Sequence, residues 1–161
     1  MKKILRSLFY VTFSIYCIVL LGLLLLNRPS FFVAEQDLSE YARHSVNLVP
    51  FKTLSELFQR NAEHSISSDI VFDNAVGNFL LFFPMGIYLP CIFMKARKFP
   101  FFLIFIFLMV FLIEALQLVC RVGSFDVDDI MLNVSGAAAG FGIFNIQTVQ
   151  RMLKAMQFMR N

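Results

Sequence analysis

The stretch FFLIFIFLMVFLIEALQLV, residues 101–119, decides the fold. From Phe101 to Ile113 it holds no polar side chain, and it has about the length a helix needs to cross roughly 30 Å of hydrocarbon. Glu114 and Gln117 interrupt it near its end. Three further apolar blocks accompany it: residues 8–26, without a charge; about 72–94, with Asn74 and Asn78 near its start and Pro84 inside; and about 129–146. The last carries Gly136, Ala137, Ala138, Ala139 and Gly140 in a row, which lets a neighbouring helix come close. The expected fold is all-α: a polytopic membrane protein, one domain, built as a bundle of four transmembrane helices.

Composition agrees. Of 161 residues 58% are hydrophobic and 16% charged, whereas a water-soluble domain runs near half apolar and a quarter charged. The same balance excludes a disordered chain and a collagen, and a net charge of +3 is too mild to indicate a nucleic-acid partner. Lys2, Lys3 and Arg6 precede the first block, whose core is long for a signal peptide and which ends without a small-residue cleavage site. It is read as an anchor.

The basic residues set an orientation, because Lys and Arg in short loops are retained on the cytoplasmic side. Lys2, Lys3 and Arg6, then Lys95, Arg97 and Lys98 between the second and third helices, then Arg151, Lys154 and Arg160 after the fourth, occupy segments free of acid. Arg28, Arg43, Lys52 and Arg60 lie in the long segment 27–71, where acids outnumber them. Both termini are therefore expected in the cytoplasm, with segment 27–71 and the turn 120–128 outside. Within that segment, Thr53 with Glu56 reads as a capping box opening a short helix, and Asn47 to Phe51 as a turn fixed by Pro50. His44 and His64 read as solvated. Cys17, Cys91 and Cys120 read as buried thiols, Cys91 and Cys120 being a membrane thickness apart. No zinc, P-loop or serine-hydrolase motif is present in the sequence.

The informative residues are polar ones placed in hydrocarbon, where each costs about 2–4 kcal/mol unless it faces protein, water or a ligand. Asn74 and Asn78 stand four apart, Glu114 and Gln117 three apart, Asp129 and Asn133 four apart, so each pair occupies one helix face. Counted at about 1.5 Å per residue, Asn78, Glu114, Gln117 and Asn133 share a depth roughly 3–9 Å below the outer end of their helices. An outer-side polar cavity between helices two, three and four is expected. The turn 121–129 supplies Arg121, Gly123 and the acids Asp126, Asp128 and Asp129 above it. Asp126 and Asp129 are expected to point inward, Asp128 to serve as a solvated helix cap. Taken singly, the amides read equally as interhelical glue, and Gly136 and Gly140 as packing positions.

The motifs NLVPF (47–51), GNFLLFFPMG (77–86) and EALQ (114–117), then Arg121 through Asp126, Asp129, and NVSG (133–136), in this order and spacing, resemble those of the VanZ-like membrane proteins, named for a teicoplanin-resistance protein. The resemblance spans residues 47 to 140. It implies an integral protein of the bacterial cytoplasmic membrane, with antibiotic resistance as the role of some members, and it hands over site positions rather than a reaction.

Three readings follow. In the first, an enzyme acts on the head group of a lipid or lipid-linked envelope precursor in the outer leaflet. Glu114, Asp126 and Asp129 are its catalytic candidates, with Glu114 as general acid or base because apolar surroundings bring a carboxyl's proton exchange nearer neutrality. Asn47, Asn78, Gln117, Arg121 and Asn133 are its substrate-binding candidates, Arg121 on phosphate. In the second, the same cavity binds and shields such a target without turnover. The third, a proton-linked transporter, is disfavoured by inner helix halves that lack a matching polar path. No cofactor is assigned, and two aspartates without a third firm oxygen ligand assign no metal.

Overall fold

The computed structural model describes residues 2–26, 37–156 and 158–159. The chain runs as α1 (Lys2–Leu26), α2 (Leu38–Ser45), β1 (Val46–Asn47), α3 (Lys52–Ala62), α4 (Ser68–Phe82), α5 (Met85–Ile92), a 3-10 turn (Met94–Arg97), α6 (Phe99–Val119), β2 (Phe125–Asp126), α7 (Val127–Phe144) and α8 (Gln147–Ala155). Four spans are long and apolar enough to cross a membrane: Lys3–Leu24, the α4–α5 run Ser68–Ile92, Phe99–Val119 and Val127–Phe144. The fold is an all-α bundle of these four. Arg28 and Arg160 lie outside the described residues.

Element bounds depart from the expected ones for local reasons. The second span starts at Ser68 and is two helices, because Pro84 has no N–H to return to Leu80. The Leu80 carbonyl takes the Phe83 N–H instead, and the Tyr16 hydroxyl donates to Leu81 O at 2.7 Å, so α1 satisfies backbone beside the break. The fourth span begins two residues early, at Val127, capped by Asp126. Its continuation α8 is a separate amphipathic helix with none of its residues buried.

Packing centres on α7, which touches α4, α5 and α6. Lipid is as apolar as Leu, so close van der Waals fit and hydrogen bonds, rather than exclusion of water, hold spans together. Gly136 supplies the fit: a Cβ there would stand 1.8 Å from Phe79 O, and one on Gly86 would stand 2.2 Å from Ala137 O. Beside this seam Phe102 of α6 stacks on Phe141 at 4.6 Å, and Leu20 and Leu24 bring α1 onto the same core with Phe82, Ile106 and Val110. The three cysteines are free thiols; only Cys91 is buried, whereas Cys120 is exposed, against expectation.

Candidate functional site

At the end of the bundle where α6 turns into α7, six polar side chains are almost wholly inside the protein: Glu114, Gln117, Asp126, Asp128, Asp129 and Asn133 are each at most 4% exposed. Their positions follow from the spacing. Glu114 and Gln117 share the inward face of α6 with Ile113 and Val110, and Asp129 and Asn133 share the α7 face that continues into Gly136 and Gly140. Asn78 completes the layer from α4, donating to Asp129 Oδ1 at 2.6 Å. Asp129 also holds contacts beyond this one, as does Glu114.

Glu114 accepts the Asp126 N–H through Oε2 at 3.4 Å, so the α6 carboxyl reads the backbone that starts α7. Asp126 caps that helix, taking the Asp128 N–H on Oδ1 at 2.9 Å. The same carboxylate receives Asn47 Nδ2 at 3.1 Å and the Thr53 hydroxyl. Asn47 and Asp126 are also register partners in the short parallel pair β1–β2, with Val46 opposite Phe125. Asn47 Oδ1 in turn accepts the Val49 N–H at 3.2 Å, which makes the expected turn before Pro50.

Two expectations are corrected here. Asp128 is not a solvated cap: it is fully buried and accepts the N–H groups of Phe51 and, at 3.1 Å, Leu54. Phe51 is the N-cap residue of α3 and Leu54 lies three beyond it, so one carboxylate from α7 fills both roles of a capping box. Thr53 is thereby released. It does not cap α3 with Glu56, since α3 starts at Lys52 and the Thr53 hydroxyl goes to Asp126. Sequence reading missed Thr53 and Asp128 as members of the cluster, and no local signal marks either, because their partners lie 73 to 77 positions away.

Arg121 stands at the rim, half-buried, in the left-handed conformation with φ 56°. Its N–H returns to Leu118 O at 3.1 Å and that of Val122 to Gln117 O at 2.9 Å, the pair of bonds that closes a helix through a left-handed residue, a place usually held by Gly. Its charge acts on the exposed carboxyl of Asp37, held below the ordinary carboxylate range chiefly by the Ser39 hydroxyl. The Tyr41 hydroxyl donates to Gly123 O at 3.1 Å and ties α2 to the same turn. His44 and His64 are exposed, as expected.

Among the described residues three buried oxygens in or beside the layer have no hydrogen-bond donor: Asn74 Oδ1, Gln117 Oε1 and Asn133 Oδ1. Gln117 spends its Nε2 on Leu24 O at 2.7 Å, clamping α1 to α6. An apolar cavity of about 380 Å³ lined by Leu89, Phe93, Ala96 and Phe101 lies at the far end of the bundle, beside the basic turn. Among the described residues no group of three or more His, Cys, Asp or Glu side chains is arranged to hold a metal ion.

Taken together, these features define a polytopic membrane protein with a layer of acids and amides buried between three spans. A family model described as VanZ/LLP1 matches residues 13–148, and the chain belongs to that family. No curated protein and no solved structure matches it.

Proposed function

We propose that the chain works at the outer leaflet of a bacterial cytoplasmic membrane, both termini inside, on the head group of a lipid or lipid-linked envelope precursor. The observation that carries this reading is the convergence of Asn78, Glu114, Gln117, Asp129 and Asn133 from three spans into one layer set within otherwise apolar helices. Buried polar groups in a bilayer protein are expensive and mark ligand pathways. Exposed Leu48, Val49, Phe51 and Phe58 beside the layer suit the membrane interface, so a lipid reaches it by lateral entry.

In this reading Glu114 moves the proton, Asp129 orients the reacting group and Asp126 keeps the start of α7, and with it Asp129, in register. Gln117 and Asn133 hold the head group, Asn47 braces Asp126, and Arg121 meets the phosphate. Opening requires α3 to lift from Asp126 and Asp128, which makes an outer-side cavity of the layer. A consequence for the family's eponymous role is a reduced number of surface sites for teicoplanin. Lipid extracts from cells expressing the chain, compared by mass spectrometry with extracts from cells expressing Glu114→Gln, test it: a species made by the first and absent from the second supports chemistry. If the two extracts match while teicoplanin tolerance differs from that of empty cells, the layer binds and shields its target without turnover. That second reading draws on the carboxylates Asp126 and Asp128 already being occupied by the protein's own donors.

A further inference from the structure

The buried side chains of the layer are acids and amides, and no Lys or Arg is buried with them among the described residues. Several amide donors already serve the protein itself: Asn78 Nδ2 donates to Asp129, Gln117 Nε2 to the Leu24 carbonyl, and Asn47 Nδ2 to Thr53 and Asp126. The buried side-chain atoms without a partner among the described residues are acceptor oxygens, one each from α4, α6 and α7: Asn74 Oδ1, Gln117 Oε1 and Asn133 Oδ1. Gln117 and Asn133 are themselves at most 1% exposed, on the helix faces that carry Glu114 and Asp129. An orphan buried acceptor forfeits about 1–3 kcal/mol until a donor arrives. An anion brings no donor and would face the carboxylates, so the phosphate does not belong in the layer. A group with positive charge and several N–H donors does.

We infer that the layer receives the primary ammonium of a zwitterionic phospholipid head group, whose phosphate stays at the rim with Arg121. This rests on the head-group reading above and makes it specific: the nitrogen end enters, the phosphorus end does not. The ammonium supplies N–H donors to the Gln117 and Asn133 oxygens. Arg121 follows Gln117 by about one helical turn on the path a head group would take, and its guanidinium offers the paired N–H donors that phosphate oxygens accept.

The test is a binding series on the purified full chain in detergent, read by native mass spectrometry. The ligands share acyl chains and phosphate and differ only in bearing no, one, two or three N-methyl groups, so charge is constant while N–H donors fall to none. Affinity is expected to drop by about tenfold or more across the series. In Gln117→Met, close in size to the wild-type residue, and independently in Asn133→Leu, the discrimination is expected to shrink below about threefold, because a purely steric preference would persist there. Arg121→Gln is expected to weaken every member alike. The same head group freed of its acyl chains is expected to bind about 100-fold more weakly; equal binding would overturn the lipid source. A flat series would mean that waters complete the orphan oxygens, and equal or tighter binding of phosphatidylglycerol, or of magnesium or calcium ions alone, would mean a different ligand. Either result overturns the ammonium inference and leaves the head-group reading standing where a phospholipid binds. Absence of any phospholipid binding overturns the ammonium inference and the phospholipid arm of the head-group reading, leaving only a lipid-linked precursor as its target.

Discussion

The two halves of α7 are built on different principles. From Gly136 onward the helix presents small residues, and the backbones of α4 and α5 come so near that no Cβ fits at Gly136 or Gly140. From Asp126 to Asn133 it presents acids and an amide, joined to α3, α4 and α6 by hydrogen bonds, with one oxygen left unpartnered. The small-residue half is complete as it stands. The polar half retains an unsatisfied acceptor inside the protein, which natural interiors seldom tolerate without a reason. Packing alone therefore explains one half, whereas the other keeps an acceptor that packing leaves unfilled.

Substitutions can break that contrast or sharpen it. The largest effect is expected from Gly136→Ala. Alanine normally gains about 1 kcal/mol over glycine inside a helix, but a Cβ 1.8 Å from Phe79 O must push α4 away, and overpacking of this kind costs about 1–3 kcal/mol or more. A lowered unfolding midpoint in detergent checks it; an unchanged midpoint would remove the distinction between the halves. Next comes Asp128→Ala, which strips the Phe51 and Leu54 N–H groups of their acceptor and is expected to lose about 2 kcal/mol. Faster amide hydrogen exchange through α3, with α6 unaffected, is the sign to look for.

Asn133→Leu is expected to run the other way, gaining up to about 1 kcal/mol by deleting the unpartnered oxygen while abolishing any effect on lipid composition or teicoplanin tolerance. A destabilised Asn133→Leu would show that the amide is structural glue after all. The smallest change is expected from Arg121→Gly. The left-handed backbone costs an ordinary residue about 1–2 kcal/mol, glycine's greater freedom in the unfolded chain returns about 0.5–1 kcal/mol, and a net gain of about 0.5 kcal/mol remains. Stability rising while activity falls would identify the guanidinium as the reason an arginine occupies a glycine's place.

The spans were legible because a run such as residues 101–113 has one physical destination, and the shared faces of Glu114 with Gln117 and Asp129 with Asn133 followed from helical spacing alone. Burial of all four is what those faces deliver. Asp128 was not legible, because three acids at a helix start look alike until the segment that covers one of them is known. Thr53 failed for the same reason: its neighbour Glu56 sits at the right spacing for a capping box, and only the approach of Asp126 from the far side of the chain diverts its hydroxyl. The left-handed Arg121 had no signature either, since the residue type argues against the conformation it adopts.

The remote cap on α3 has a consequence for how the protein is made. Phe51 and Leu54 leave the ribosome more than seventy residues ahead of Asp128, the group that pins them. Until the last span has been threaded into the bilayer, the first N–H groups of α3 lack the acceptor that caps them, and α3 rests mainly on its contacts with α4. Arrival of the final span thus completes a segment translated long before, and a nascent chain truncated ahead of Asp126 is expected to leave that segment more open to protease than the full chain does.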